Sequence, residues 1–126
     1  MIIDFHTHIF PPEMKDRRQD YLKDDALFTE LFSSPKARIA TADELVSSMD
    51  DAGVDLSVIL NAGWTGHSDC VRTNDYILEG ATRHPKRLIP FCAIQPRAGM
   101  AALAELERCV RGGARGIGEM RSDTQG

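Results

Sequence analysis

Four short apolar runs alternate with segments whose apolar residues recur at helical spacing. The runs predict strands near residues 2–8, 55–61, 87–95 and 114–120. Residues 69–83 and 100–111 predict helices between the last three of these strands. Strands that alternate with helices imply a parallel sheet with right-handed helical crossovers, so the pattern predicts an α/β fold.

Helix boundaries are marked by their own signals. Thr41 precedes Glu44 by three residues, which is the capping-box spacing, and Gly53 suits the position after a helix end. In the helix over 100–111, the periodicity predicts an inner face made of Leu103, Leu106 and Val110.

Residues 11–38 form a long, polar insertion after the first strand. Residues 13–23 and 25–32 each predict a short helix, and the apolar positions of the second have helical spacing. Long insertions in compact domains are usually functional or disordered. We therefore expect a lid-like insertion, with a surface flap that has no catalytic part as the alternative.

The alternating pattern stops at the fourth predicted strand. Four parallel strands leave open edges, which natural folds avoid or cover. We therefore interpret residues 1–126 as a single partial domain, the N-terminal half of a TIM (βα)8 barrel, whose usual size is about 250 residues.

Composition narrows the classes of partner. The chain has 126 residues, of which 42% are hydrophobic and 27% charged, and its net charge is −4. These values are typical of a globular protein and offer no basic surface for nucleic acid or anionic lipid. We expect a cytoplasmic protein with no nucleic-acid or membrane partner. The three cysteines have no spacing that indicates a disulfide framework or a zinc knuckle.

The first strand ends in His6-Thr7-His8, the most specific motif of the chain. Residues two apart in a strand point to the same face, so both imidazoles can share a metal ion. Asp4 has the same parity and is expected to accept a proton from an imidazole N–H. The alternative is a strand end that carries two histidines by chance.

The segment Ile3 to Pro11 resembles the first strand of the amidohydrolase superfamily, in particular its amidohydrolase-related branch with the aminocarboxymuconate-semialdehyde decarboxylase-like enzymes. Residues 74–90 and 113–119 are similar to the regions around strands three and four of that branch. The resemblance implies a metal-dependent TIM barrel in which His6 and His8 bind a divalent ion, with zinc the expected metal.

The same resemblance gives Glu119 a role as a further metal ligand, because some branches place an acidic ligand at the end of strand four. The alternative is an exposed acid in a loop. The family also uses histidines on strands five and six and an aspartate on strand eight. None of these falls within residues 1–126, so the catalytic acid–base residue is expected beyond residue 126.

The activity expected from these residues is metal-assisted hydrolysis of a C–N, ester or lactone bond in a small carbonyl compound, with the isolated chain inactive. One alternative is a metal-dependent nonoxidative decarboxylase, which needs the same ligand strand. Another is a non-catalytic half-barrel that self-associates, so a homo-oligomer is among the expected partners.

Candidate substrate contacts lie at predicted strand ends and in the following loops, where TIM-barrel sites form. They are Asn61, Trp64, His67, Gln95, Arg97 and Arg121. The two arginines are candidates to hold a carboxylate. Loop packing is the alternative for Trp64, and a solvated loop residue is the alternative for His67.

Overall fold

A parallel four-stranded sheet with flanking helices organises the computed structural model, which describes residues 1–126. The strands are β1 (Ile3–His8), β2 (Leu56–Leu60), β3 (Leu88–Cys92) and β4 (Gly116–Ile117). The helices are α1 (Pro12–Asp16), α2 (Arg18–Asp24), α3 (Ala26–Phe32), α4 (Ala42–Ala52), α5 (His67–Arg83), α6 (Met100–Arg111) and α7 (Ser122–Gln125). A 3-10 turn spans Pro96–Ala98.

The strands lie in the order β1-β2-β3-β4, and every neighbouring pair is parallel. A doubly wound sheet would reverse its strand order, whereas a (βα) barrel winds in one direction as this sheet does. The predicted parallel sheet with helical crossovers is confirmed. Each observed strand is shorter than predicted, because residues at the ends of the apolar runs lie outside the ladder, several of them in the carboxyl-end loops.

Helix α4 begins and ends as its sequence indicates. The Thr41 hydroxyl accepts a hydrogen bond from the Glu44 amide at 3.4 Å, and the Glu44 carboxylate accepts one from the Thr41 amide at 2.9 Å. Gly53 ends the helix at φ 69°, a left-handed conformation that glycine adopts without steric strain.

The apolar core between the sheet and helices α4 and α5 is small and continuous. Ile9 and Ile59 from the sheet side contact Met49 of α4 and Ile77 of α5, and all four are buried. Nearly all of β2 is buried, as is typical of strands of continuous apolar character in parallel sheets.

Helix α6 turns a different face inward from the one predicted. Its buried residues are Ala102, Glu105 and Cys109, and Leu106 packs against this core as predicted, whereas Leu103 and Val110 are 55% and 58% exposed. Small residues allow α6 to approach its neighbours closely, and a carboxylate occupies the interface because it is fully paired. Hydrophobic periodicity reveals neither the close approach of small residues nor the pairing of a buried carboxylate.

The buried carboxylate of Glu105 links α5 and α6. It accepts hydrogen bonds of 2.8 Å from both Asn74 and Arg108, while the Asn74 side-chain oxygen accepts one from the Ala93 amide at 2.7 Å. Burial alone would raise the pKa of Glu105, but the hydrogen bonds from Arg108 and Asn74 outweigh it and lower that pKa. The carboxylate therefore stays ionised and joins the two helices to the end of β3.

The insertion folds into α1, α2 and α3, with a break at Arg17 where one helix was predicted. Phe28 stacks on Trp64 with ring centroids 5.5 Å apart and meets Phe10 edge-on at 5.6 Å. Asp25 caps α3 through the Phe28 amide and also accepts a 2.8 Å hydrogen bond from the Thr65 amide. The insertion therefore packs against the carboxyl-end loops, and its role as a lid stays a prediction.

Exposed apolar side chains lie mainly near β1 and near α6 and β4, at the two ends of the sheet order. They are Met1, Ile2, Ile3, Phe5, Met100, Leu103, Val110, Ile117 and Met120. Self-association through these surfaces stays a prediction. None of the helices combines the length and apolar character needed to cross a membrane.

The packing of the insertion gives a stability prediction. Replacing the fully buried Phe28 by alanine should lower the free energy of unfolding by about 3–5 kcal/mol, because it removes an aromatic side chain from a filled core. Leu103→Ala on the exposed face of α6 should change it by less than about 0.5 kcal/mol. Urea denaturation followed by circular dichroism measures both, and equal effects would contradict the packing described here.

Candidate metal centre

The first strand contains a one-residue irregularity just before its second histidine. Asp4 pairs with Ser57 whereas Thr7 pairs with Ile59, so β1 has one residue more than β2 between these positions. This is a β-bulge. Because paired residues share a face of the sheet and side chains alternate along β2, Asp4 lies on the face of Thr7 and opposite His8.

Asp4 consequently does not orient an imidazole, contrary to the expectation from sequence. Its Oδ1 accepts a hydrogen bond from the backbone N–H of His6 at 3.2 Å. The expectation assumed strict alternation along the strand, and alternation does not survive a bulge. Asp4 instead supports the backbone at the irregularity.

Three side chains from the two ends of the chain meet at the carboxyl edge of the sheet. The Nε2 atoms of His6 and His8 are 3.0 Å apart, and they lie 3.6 Å and 3.4 Å from Oε2 of Glu119. One ligand atom from each of the three falls within 4.8 Å of the others. The His6 side chain is 61% exposed and the other two are largely covered, so the cluster opens to solvent on the His6 side.

Burial sets the charge of the inner imidazole. Desolvation lowers the pKa of His8, the nearby carboxylate of Glu119 opposes this, and His6 lowers the pKa further. His8 is therefore neutral at pH 7 and offers a lone pair rather than a proton. Its Nδ1 is buried and finds no hydrogen-bond partner in the chain.

The separations of the three ligand atoms fit a divalent ion. Zinc binds imidazole nitrogen and carboxylate oxygen at about 2.0–2.2 Å, so tetrahedral ligands that share one ion lie roughly 3.3–3.6 Å apart. The observed distances of 3.0, 3.4 and 3.6 Å are close to that range. Two imidazoles and a carboxylate therefore have both the chemistry and the spacing to hold a metal.

Asn61 and Trp64 are not exposed to a substrate, contrary to the expectation from sequence. Both are fully buried. The Asn61 side chain donates to the Ile9 carbonyl at 2.7 Å and accepts from the Trp64 indole N–H at 2.7 Å. The amide thus ties the end of β1 to the loop after β2, and the indole forms part of the core beneath the insertion.

Gln95 also links two loops and is not open to a substrate. It is 5% exposed, and its amide donates to the Thr65 carbonyl at 2.9 Å while accepting from the Arg97 amide at 3.0 Å. Gln125 of α7, which sequence reasoning missed, links neighbouring loops in the same way. It donates to the Ile94 carbonyl at 2.9 Å and accepts from the Arg121 amide at 2.8 Å.

The loops after β2 and β4 approach each other at Gly63. A Cβ added there would lie 3.0 Å from the Glu119 carbonyl oxygen and 3.2 Å from the side-chain oxygen of Gln125. Only glycine permits this approach without a shift of backbone. The position of Glu119 is therefore fixed partly by the absence of a side chain on the neighbouring loop.

His67 and Arg97 lie outside the three-residue cluster. His67 is the first residue of α5, half-buried, with an Nδ1 that has no hydrogen-bond partner in the chain. Arg97 is exposed in the 3-10 turn, and its guanidinium lies beside Gly126. Their predicted contact with a substrate stays a prediction.

Arg121 is the one predicted substrate contact that lies beside the cluster. Its Nη1 is 4.0 Å from Oε1 of Glu119, and its Nη2 is 3.3 Å from Glu30 of α3. Sequence reasoning missed Glu30, because nothing in a helical segment ninety residues away indicates this contact. The insertion therefore reaches the edge of the candidate site through an ion pair.

Solved structures show the same fold. A 5-carboxyvanillate decarboxylase from Novosphingobium aromaticivorans, solved with manganese and 4-hydroxy-3-methoxy-5-nitrobenzoic acid, superposes with a TM-score of 0.80 at 21% identity, over 100% of this chain and 43% of that chain. A dihydroxybenzoic acid decarboxylase from Polaromonas sp. JS666, solved with manganese and 2-nitroresorcinol, gives 0.62 at 26% identity, over 92% and 37%.

A hydrolase is also among the similar structures. A probable 2-pyrone-4,6-dicarboxylic acid hydrolase from Acinetobacter baumannii, solved with citric acid, gives a TM-score of 0.56 at 17% identity, over 92% of this chain and 36% of that chain. The chain thus spans about two fifths of the length of the solved structures that it matches. These likenesses show the N-terminal part of a TIM-barrel-type amidohydrolase fold.

Sequence comparison gives the family directly. No curated protein matches the chain at a significant level. The sequence profile of the Amidohydrolase family, in contrast, matches residues 3–125, which is nearly the whole chain. The chain therefore belongs to the amidohydrolase family.

Proposed function

We propose that this protein is a metal-dependent hydrolase of small carbonyl compounds, with His6, His8 and Glu119 as metal ligands. The observation that carries the proposal is the convergence of two imidazole nitrogens and one carboxylate oxygen at the carboxyl edge of the sheet. Two histidines and one glutamate are a ligand set of catalytic zinc sites, which keep a position open for water or substrate.

Each ligand has a separate part in this proposal. His8, neutral and largely covered, holds the ion from inside the site, and His6 holds it from the exposed side. Glu119 contributes negative charge through Oε2, the oxygen that faces both imidazoles. A bound divalent ion supplies Lewis acidity, which lowers the pKa of water to about 7 and polarises a carbonyl.

Proton transfer requires a group that these three residues do not supply, because all three are committed as ligands. The family resemblance leads us to expect this group on a later strand, beyond residue 126. Residues 1–126 alone are then expected to bind metal without turning over substrate.

Zinc is the proposed ion, since nitrogen-rich sites with one carboxylate suit it. Manganese is present in the two decarboxylase structures named above. Nitrogen ligands bind manganese(II) more weakly than zinc, as the usual order of divalent-metal affinities requires. Competition between the two ions therefore tests the proposed identity.

The ligand assignment predicts graded losses of metal affinity. His8→Ala and Glu119→Gln should each weaken Zn²⁺ binding by roughly tenfold or more, since each removes one of three ligands. His6→Ala should act in the same direction. Isothermal titration calorimetry with Zn²⁺ on the purified protein, and competition with Mn²⁺, measures these affinities.

Asp4→Asn serves as the matched control, because Asp4 contacts the His6 backbone and neither imidazole. It should reduce affinity less than the loss of any ligand. Metal affinity that is insensitive to all three ligand substitutions would overturn the proposed centre.

Nonoxidative decarboxylation is the second candidate reaction. It is favoured by the 26% identity to the dihydroxybenzoic acid decarboxylase and by the superposition on the 5-carboxyvanillate decarboxylase. The same ligand strand serves both reactions, so the residues described here do not separate them.

A paired assay separates the two reactions. The full-length protein is incubated with lactones, esters and amides, and in parallel with aromatic carboxylic acids. Hydrolysis is expected, seen as acid release that His8→Ala lowers by roughly a hundredfold or more. Release of carbon dioxide from the carboxylic acids, without hydrolysis, would replace the first candidate by the second.

A further inference from the structure

The guanidinium of Arg121 is fixed along one edge. Its Nε lies 3.0 Å from Oδ1 of Asp123 and its Nη2 lies 2.8 Å from Oδ2, a bidentate pair. The Arg121 amide is also held, by the side-chain oxygen of Gln125 at 2.8 Å. A guanidinium with one edge and its own backbone held loses little freedom when its other edge binds a ligand.

On the other edge of this guanidinium, formed by Nη1 and Nη2, Nη1 is free and lies nearest the metal cluster. Nη1 makes no hydrogen bond within the chain, and its nearest carboxylate is Oε1 of Glu119 at 4.0 Å. The two oxygens of Glu119 thus divide their roles, since Oε2 faces the imidazoles and Oε1 faces Arg121. The side chain of Glu119 is therefore all that separates Nη1 from the position proposed for the ion.

Glu30 interacts weakly with Nη2, the other nitrogen of this edge. Its two oxygens are 3.4 Å and 3.3 Å from Nη2, which is long for a charge-assisted hydrogen bond, and its side chain is 55% exposed. Exposed ion pairs of this kind contribute little to stability. A carboxylate from another molecule can replace Glu30 without changing the net charge around Arg121.

We propose that Arg121 anchors a carboxylate of the substrate through its Nη1–Nη2 edge, and that Glu30 holds this place until the substrate arrives. The inference deepens the proposed function, because it names the substrates as carbonyl compounds that also carry a carboxylate. It also gives the insertion a role at the site, since substrate binding separates α3 from Arg121.

A purely structural role is the competing explanation for the same ion pair. In that case Arg121 joins α3 to the segment after β4, and loss of either partner loosens the insertion. The two explanations make opposite predictions for Glu30→Gln. If Arg121 binds a substrate carboxylate, Glu30→Gln should tighten carboxylate binding, because a competing carboxylate is removed. If the ion pair is purely structural, Glu30→Gln should not increase carboxylate affinity.

The experiment is an NMR titration with benzoate, using its uncharged analogue benzamide as the control ligand. The Nε–H signal of Arg121, assigned from its loss in Arg121→Lys, reports on the guanidinium itself. The protein is titrated both with Zn²⁺ and after treatment with a chelator. Arg121→Gln should weaken benzoate binding by roughly tenfold or more, Arg121→Lys less, and Glu30→Gln should strengthen it.

The matched control pair is Arg111 and Glu107 on α6, which are also 3.3 Å apart. Arg111→Gln should leave benzoate binding unchanged, and benzamide should bind no variant in an Arg121-dependent way. Benzoate affinity that is unchanged in Arg121→Gln, or not raised in Glu30→Gln, overturns the anchor. If Arg121→Gln does not fold, Glu30→Gln decides the question.

Failure of the anchor is distinguishable from failure of the proposed function. Zn²⁺ affinity is measured separately in every variant, and Arg121→Gln should lower it less than His8→Ala does, because Arg121 lies 4.0 Å from Glu119 and is not itself a ligand. Absence of Zn²⁺ binding in the unsubstituted protein would remove the metal centre, while the chelator-treated titration would still test Arg121.

Discussion

The bulge in β1 is the constraint on which the candidate site depends. One extra residue between Asp4 and Thr7 shifts the alternation of the strand, so that His8 lies on the face opposite Asp4. The two imidazole nitrogens then lie 3.0 Å apart and both face Glu119. A regular strand would place Asp4, His6 and His8 on one face, so that the Asp4 carboxylate would lie beside the imidazoles.

The position of Glu119 relies on buried amides rather than on sheet pairing, because β4 itself is only two residues long. Asn61, Gln95 and Gln125 link the end of β1 and the loops after β2, β3 and β4, and each is nearly or completely buried. Buried amides must satisfy their hydrogen bonds, so these contacts allow few alternative loop arrangements. This polar network supports the candidate site. It also contacts the insertion through Trp64 and Thr65.

Sequence patterns anticipate the regular parts of this protein well and the irregular parts poorly. Periodicity and capping predict the alternation of strands and helices and the ends of α4 and α6, because these depend on local contacts. The histidine pair is visible because its spacing is short. The exposure of Leu103, the bulge at Asp4 and the contact between Glu30 and Arg121 depend on distant partners, and a single sequence does not display them. The burial of Asn61 and Trp64 belongs to the same class, since a loop position does not reveal which side chains turn inward.

The proposed ligands His6 and Glu119 come from β1 and from the segment just after β4, and this separation along the sequence bears on how the protein matures. The crossovers between β1 and β4 must be in place before the carboxylate can meet the imidazoles, so the proposed centre does not form from local contacts alone. An ion bound there would favour the native state over the unfolded one. Cellular metal supply would then act on the yield of folded protein as well as on its chemistry.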